Sequence, residues 1–150
     1  MTRFFDLDEA NATLPEVRDI LESLRDQRAA LIRLRDEVLE RTTEAERNAD
    51  QARAGGEGSA TADASTAIDA DLRVLRLRMQ GVIDRMQAGV VRIDELGITL
   101  REIETGLIDF PAIATGRQIW LCWRLGEGDV AWWHELTDGF SGRQELSELT

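Results

Sequence analysis

The feature that most restricts the fold is a seven-residue repeat of apolar side chains between residues 66 and 96. Two interleaved series share this spacing: Leu72, Met79, Met86 and Ile93, and Ile68, Leu75, Val82, Gly89 and Leu96. Apolar residues at two of every seven positions, sustained over about four repeats, are typical of a helix that packs along a partner helix. Residues 66–96 are therefore predicted to form one long helix.

An earlier segment supplies the partner helix. Its apolar residues are again seven apart: Val17, Leu24, Leu31, Val38 and Ala45. Charged residues occupy the opposite face, which is the pattern of a helix with one buried side. Two helix-start signals occur before this pattern, one at Asp6 and Glu9 and one at Thr13 and Pro15. Residues 1–53 are therefore predicted to be helical with a bend near the N-terminus.

The segment between the two helical patterns is rich in glycine and small polar residues. Residues 54–65 read AGGEGSATADAS. This composition is typical of a flexible connection, and the segment lacks the lysine and the preceding strand of a phosphate-binding loop. A flexible linker at 54–65 would let the two helices fold back as an antiparallel hairpin.

After Gly97 the apolar period changes from helical to alternating. Short alternating runs separated by turn residues fill residues 97–136, and the strongest run is Arg117 to Leu125. They predict an antiparallel meander of about four strands, in which Pro111 requires a sheet edge or a strand end. Residues 137–150 are predicted to be loop and tail. The expected fold is a single α+β domain: a long, coiled-coil-like helical hairpin followed by a small antiparallel sheet.

Composition excludes several classes of function. The chain has a net charge of −11, which disfavours binding to nucleic acid or to an anionic membrane surface. One cysteine excludes an internal disulfide, and no apolar run has the length of a membrane span. All 18 basic residues are arginine, which fits a GC-rich genome. A cytoplasmic bacterial protein is expected.

Several motifs in order resemble the bacterial domain of unknown function 2203 family. They are FDLDEANATLPEV near the start, GLIDFPA, LCWRLGE, the Trp-His pair and GFSGR near the end. The resemblance covers nearly the whole chain and implies no activity or catalytic residue. Some family members carry a cell-division label of the DivIVA kind, which reflects coiled-coil similarity.

All four tryptophans, the only cysteine and the only histidine lie within fifteen residues. Cys122 and His134 are ligand types that zinc accepts, but a single pair lacks the spacing of a zinc site, so no metal site and no cofactor are predicted. If Leu125 pairs with Val130 across the turn, Cys122 and His134 point to opposite faces of the sheet. No catalytic residue is predicted.

Charged residues within the tryptophan-rich strands form the candidate ligand site. They are Asp109, Arg117, Arg124, His134 and Arg143. Buried charges need partners, and arginine both stacks on tryptophan and binds carboxylates. One interpretation is an internal network of ion pairs that holds the sheet. The other is a pocket for a small anionic molecule or for the acidic side chain of a partner.

Four apolar residues of the second helix lie off the heptad positions: Val74, Ile83, Val90 and Val91. They are predicted to form an apolar strip that a two-helix hairpin leaves exposed. Either the C-terminal strands or a second subunit is expected to pack on this strip. The leading hypothesis is a non-enzymatic interaction or scaffold protein that associates as a homodimer or with another protein through its helices. The alternative is a small anionic ligand- or metal-binding protein, including an enzyme, with its site on the tryptophan-rich sheet.

Overall fold

Two long helices precede a five-stranded antiparallel sheet in the computed structural model, which describes residues 2–55 and 58–149. Helix α1 spans Leu7–Gly55 and helix α2 spans Gly58–Glu95. Strands β1 to β5 span Thr99–Glu102, Leu107–Ala114, Arg117–Arg124, Trp132–His134 and Gln144–Glu145, and they are hydrogen-bonded in chain order. Short 3-10 helices at Phe140–Gly142 and Leu146–Glu148 flank β5. The predicted α+β class is confirmed.

The chain divides into two compact units, and each contains part of both helices. The sheet unit comprises Met1–Arg28 and Met86–Thr150, and the helical unit comprises Ala29–Arg85. The helices run antiparallel within each unit. An ion pair joins Glu16 to Arg92 in the sheet unit, and another joins Arg41 to Asp71 in the helical unit.

The core of the sheet unit lies between the helices and one face of the sheet, which we call the core face. The helices contribute Ala10, Leu14, Val17, Leu21, Leu24 and Ile93, and the strands contribute Ile108, Phe110, Ala112, Ile119, Leu121, Trp123 and Trp133. Alternation along each strand places these strand residues on one side. The opposite side of the sheet, which we call the distal face, carries the alternate residues of the same strands, both polar and apolar, among them Asp109, Trp120 and Cys122.

Gly89 marks a close approach of the two helices within the sheet unit. A Cβ atom added there would lie 3.0 Å from Leu24 Cδ2 and 3.5 Å from Ile20 Cγ2. Leu24 is buried in the core, so it has little room to move away. The glycine at a heptad position thus lets α1 and α2 pack at short distance.

Helix α1 begins at the first of its two predicted start signals and continues through the second. Asp6 Oδ1 accepts a 2.7 Å hydrogen bond from the N–H of Glu9, as the capping prediction requires. Pro15 does not separate a short helix from a long one, since a single helix spans Leu7–Gly55; the bend near the N-terminus stays a prediction. Thr13 does not cap a second helix, because its hydroxyl donates to the carbonyl of Ala10 at 2.8 Å instead.

The predicted linker at 54–65 is also replaced by helix over its described residues. Helix α1 reaches Gly55, α2 starts at Gly58, and residues 56 and 57 lie outside the described residues. Alanines and polar residues with acceptable helix propensity follow Gly58, so the segment can continue the helical pattern of α2.

The sheet has one strand more than the four predicted. Strand β5 pairs with β4 in the segment expected to be loop and tail, with Trp132 opposite Glu145. Pro111 lies within β2, but β1 pairs with β2 only as far as Asp109. Pro111 therefore lies beyond the end of β1, where no neighbouring strand needs a hydrogen bond from the N–H that proline lacks. Its carbonyl accepts a 2.7 Å hydrogen bond from the N–H of Phe5.

Candidate functional site

Three neighbouring strands bring Asp109, Cys122 and His134 together on the distal face. Asp109 of β2 pairs directly with Cys122 of β3, and Trp120 of β3 pairs with His134 of β4. Residues two apart on a strand share a face, so all three side chains lie on the same side. One ligand-type atom from each lies within 4.8 Å of the others, and all three residues are buried. We call this set the buried cluster.

The prediction that Cys122 and His134 point to opposite faces is wrong, because the register differs from that of a tight hairpin. Strand β3 ends at Arg124 and β4 begins only at Trp132. The N–H of Val130 donates to Asn11 Oδ1 at 2.7 Å instead of pairing with β3. This contact with α1 thus keeps the segment between β3 and β4 from pairing with β3. The register is shifted as a result, and His134 lies on the same face as Cys122.

The hydrogen bonds of His134 define the orientation of its ring. Nδ1 lies 2.9 Å from the carbonyl oxygen of Glu135, and Nε2 lies 3.1 Å from Asp109 Oδ1. A carbonyl oxygen only accepts, so Nδ1 carries a proton. Nε2 therefore faces the carboxylate either with a second proton or with its lone pair. His134 is 1% exposed and Asp109 2%, so both groups depend on protein partners for their hydrogen bonds.

Arg101 holds the other oxygen of Asp109. Its Nε donates to Asp109 Oδ2 at 2.9 Å, and its guanidinium lies 4.9 Å from the ring centroid of Trp120. Among the described residues, neither terminal nitrogen of Arg101 has a hydrogen-bond partner, and its side chain is 42% exposed. These two contacts orient the guanidinium and leave its two terminal nitrogens without a hydrogen-bond partner among the described residues.

The thiol of Cys122 is held in its protonated form. Burial raises the pKa of Cys122 to about 12, and the neighbouring carboxylate of Asp109 raises it as well, whereas the guanidinium of Arg143 lowers it in part. The thiol by itself is therefore a poor nucleophile at neutral pH, because the thiolate is the reactive form.

A cleft of about 380 Å³ opens over the buried cluster. It is lined by Arg101, Glu102, Leu107, Asp109, His134, Leu136, Asp138, Gly139 and Phe140. Asp109 and His134 form part of its wall, and Cys122 is not among the lining residues. The volume falls in the range of small-molecule sites, about 300–1,000 Å³.

The structure brings only two of the five predicted ligand-site residues together in this cleft, Asp109 and His134. Arg117 lies on the core-face side of β3, where it pairs with the carboxylate of Glu135 and lies 5.8 Å from the ring of Trp133. The hydrogen bond from Arg117 lowers the pKa of Glu135. Arg117 is thus engaged away from the buried cluster.

Arg124 and Arg143 lie on aromatic rings near the C-terminal segment. Arg124 is 5.0 Å from the ring centroid of Phe140, and Arg143 is 4.3 Å from the same centroid and 4.5 Å from that of Trp132. Arg143 also binds the carboxylate of Glu127. Burial opposes the charge of Glu127, but its hydrogen bonds from Arg143 and from the backbone of Arg124 outweigh this effect and lower its pKa.

Sequence reasoning missed Arg101 as a site residue. The available signal was Asp109, a carboxylate inside an otherwise apolar strand, which needs a cationic partner when it is buried. The preceding alternating run ends in Arg101, eight residues away and across one turn. That pairing could have been proposed from the sequence.

The apolar residues of the predicted interaction strip do not share one face of α2. Val74 and Ile83 are nine residues apart, which is about half a turn of rotation on a helix. Val74, Val90 and Val91 are 47%, 38% and 53% exposed, and Ile83 is half-buried. The three valines are thus exposed in the structure, and helical geometry divides them between different faces.

Comparison with known proteins identifies a family and nothing beyond it. A family model described as "Uncharacterized conserved protein (DUF2203)" matches residues 3–146, in agreement with the resemblance of the motifs. Neither a curated protein nor a solved structure matches the chain. Within the described residues, the helices include none with the length and apolar character needed to cross a membrane.

Proposed function

The chain belongs to the DUF2203 family of uncharacterized conserved proteins, and we propose that it is a non-enzymatic binding protein whose small ligand enters the cleft on the distal face. One observation carries the proposal. The guanidinium of Arg101 is fixed at the cleft by Asp109 and Trp120, and its terminal nitrogens have no hydrogen-bond partner in the part of the chain that the structure describes. An arginine held in this way is suited to bind a carboxylate or phosphate with two parallel hydrogen bonds.

The other lining residues narrow the class of ligand. Glu102 and Asp138 are exposed carboxylates in the same cleft, and they would repel a ligand that carries only negative charge. A ligand with an ammonium group beside its carboxylate satisfies both signs of charge. Leu136 and Phe140 add apolar surface to the wall. A small amino acid with an apolar side chain therefore fits the cleft better than a simple anion.

Isothermal titration calorimetry with L-leucine tests this function. We expect saturable binding to the protein, with affinity at least tenfold lower for leucine amide, which lacks the carboxylate, and for N-acetyl-leucine, which lacks the ammonium. Arg101→Gln should reduce the affinity for leucine at least tenfold, because a bidentate charged contact is lost. Arg25→Gln removes an exposed arginine outside the cleft and should leave binding unchanged. Equal binding to Arg101→Gln and to the unchanged protein would contradict the proposal.

Self-association through the helices is a second candidate function, and exposed apolar side chains of the helical unit favour it. Leu39, Val74 and Leu77 are 59%, 47% and 74% exposed. Burial of such residues in a dimer would remove apolar surface from water at about 25 cal/mol per Å². The homodimer and the cytoplasmic, bacterial setting expected from the sequence stay predictions.

Sedimentation velocity tests the homodimer. We expect the unchanged protein to sediment as a dimer at about 100 μM, a concentration where even a micromolar dimer is saturated. Leu77→Glu should give a monomer, because it places a charge where a large apolar side chain is 74% exposed. Glu37→Gln, a substitution of an exposed residue of the same unit, is the matched control. A monomeric unchanged protein rules out this candidate.

A further inference from the structure

We propose that Asp109, Cys122 and His134 form a binding site for a transition-metal cation of the zinc class. The site goes beyond the proposed function, because it depends on the buried cluster behind the cleft and not on the free edge of Arg101. It offers one carboxylate oxygen, one sulfur and one imidazole nitrogen, and zinc binds all three donor types.

The geometry of the three donors suits one small cation. Zinc at about 2.0–2.3 Å from tetrahedrally placed ligands separates those ligand atoms by roughly 3.3–3.7 Å. Asp109 Oδ1 and His134 Nε2 are already 3.1 Å apart, and all three donors lie within 4.8 Å of one another. Side-chain rotations that move the sulfur by about 1 Å would complete the set. The strands that carry the donors are hydrogen-bonded to each other, so the backbone positions are fixed in advance.

The surroundings of His134 and Asp109 match those of metal ligands. The carbonyl of Glu135 holds the proton on Nδ1, so Nε2 is the ring nitrogen that can offer a lone pair to a cation. Histidines that bind metals commonly have their other nitrogen fixed in this way, and their carboxylate partners are hydrogen-bonded in turn. Arg101 supplies that second contact to Asp109 Oδ2. A cation bound by both Nε2 and Oδ1 would take the place of the hydrogen bond between these two atoms.

The charges of Arg143 and Asp138 also affect how strongly the cluster would bind a cation. Arg143 lies near the sulfur and opposes a nearby cation, although its positive charge favours the thiolate that a metal requires. Asp138 lies in the cleft wall and favours a cation. Three protein donors leave one tetrahedral position open, and the cleft reaches Asp109 and His134. This is the arrangement of an accessible zinc site and not of a closed structural one.

Titration of metal-free protein with cobalt(II) tests the site. Because Cys122 is the only cysteine, a sulfur-to-cobalt charge-transfer band in the near ultraviolet reports this site alone. We expect the band to saturate at one equivalent and to disappear when zinc displaces the cobalt. Native mass spectrometry should then show one zinc per chain. The band is read on the unchanged protein, so the test does not depend on whether a variant folds.

Variants locate the binding within the cleft. Cys122→Ser should abolish the band and weaken zinc binding at least tenfold, since even outer contacts of metal ligands contribute about 10–100-fold. Glu22→Gln, which neutralises an exposed carboxylate of α1 outside the cleft, should retain the band and the affinity. Arg101→Gln should lose leucine binding yet keep the band at saturating cobalt, which separates this site from the proposed function. Cobalt bound without the band, no binding below 100 μM, or equal losses in Glu22→Gln and Cys122→Ser would overturn the proposal.

Discussion

Replacing Trp123 with alanine is expected to lower the free energy of unfolding by about 3–5 kcal/mol. Its side chain is fully buried in the core of the sheet unit. Its Nε1 donates to the carbonyl of Gly128 at 2.8 Å, and the guanidinium of Arg18 lies 5.6 Å from its ring. Alanine would leave a large cavity and remove that hydrogen bond. Urea denaturation followed by far-ultraviolet circular dichroism measures the loss.

The matched control is Trp120→Ala, on the same strand and the opposite face. Trp120 is only half-buried, so its removal should cost less than half as much as that of Trp123. If Trp123→Ala does not fold, Trp123→Phe keeps an aromatic ring, though a smaller one, and should still lose at least about 1 kcal/mol from the missing hydrogen bond. A loss below 1 kcal/mol for Trp123→Ala would contradict its place in the core.

Replacing Asp109 with alanine should destabilise the metal-free protein by about 3–5 kcal/mol. Asp109 is 2% exposed and bridges Arg101 and His134. Its removal leaves the buried imidazole of His134 without a partner at Nε2. An unpaired buried polar group destabilises the folded state by more than the net stabilisation that its hydrogen bond supplied. Thermal and urea denaturation in the presence of EDTA measure the effect.

Asp138→Ala provides the control for this substitution. Asp138 lies in the same cleft but is exposed, so its replacement should change the free energy of unfolding by no more than about 0.5 kcal/mol. A double-mutant cycle with Arg101→Ala separates the ion pair from the contact with His134. Equal effects of Asp109→Ala and Asp138→Ala would show that the carboxylate of Asp109 is not buried as described.

Local patterns in the sequence predicted the parts of the fold that local interactions determine. The apolar heptads placed both helices, and the change of period at Gly97 placed the start of the sheet; Gly97 has a φ of +83°, a value that favours glycine. The short-range signals at Pro15 and at residues 54–65 were misleading, because helix α1 continues through Pro15 to Gly55 and helix α2 already begins at Gly58. A proline or a few glycines lower helix propensity, but packing of the flanking turns overrides such costs.

The candidate site depended on information that the sequence does not display locally. Asp109 and His134 were named from the need of buried charges for partners, and the structure places them in one cleft. The relation of Cys122 to His134 depended on register. That register is set by the contact of Val130 with Asn11, residues 119 positions apart, and no alternation of neighbouring residues encodes it.

The same long-range contacts have a consequence for the order of folding. The N–H of Phe5 donates to the carbonyl of Pro111, and the N–H of Val130 donates to the side chain of Asn11. Each of these hydrogen bonds joins the N-terminal segment to a residue more than a hundred positions later in the chain. During synthesis the first turns of α1 emerge long before the residues to which they bond. The two helical segments within Ala29–Arg85, in contrast, can pair as soon as this part of the chain has left the ribosome. High contact order slows folding. The helical unit should therefore acquire protection from hydrogen exchange first, and the sheet unit last.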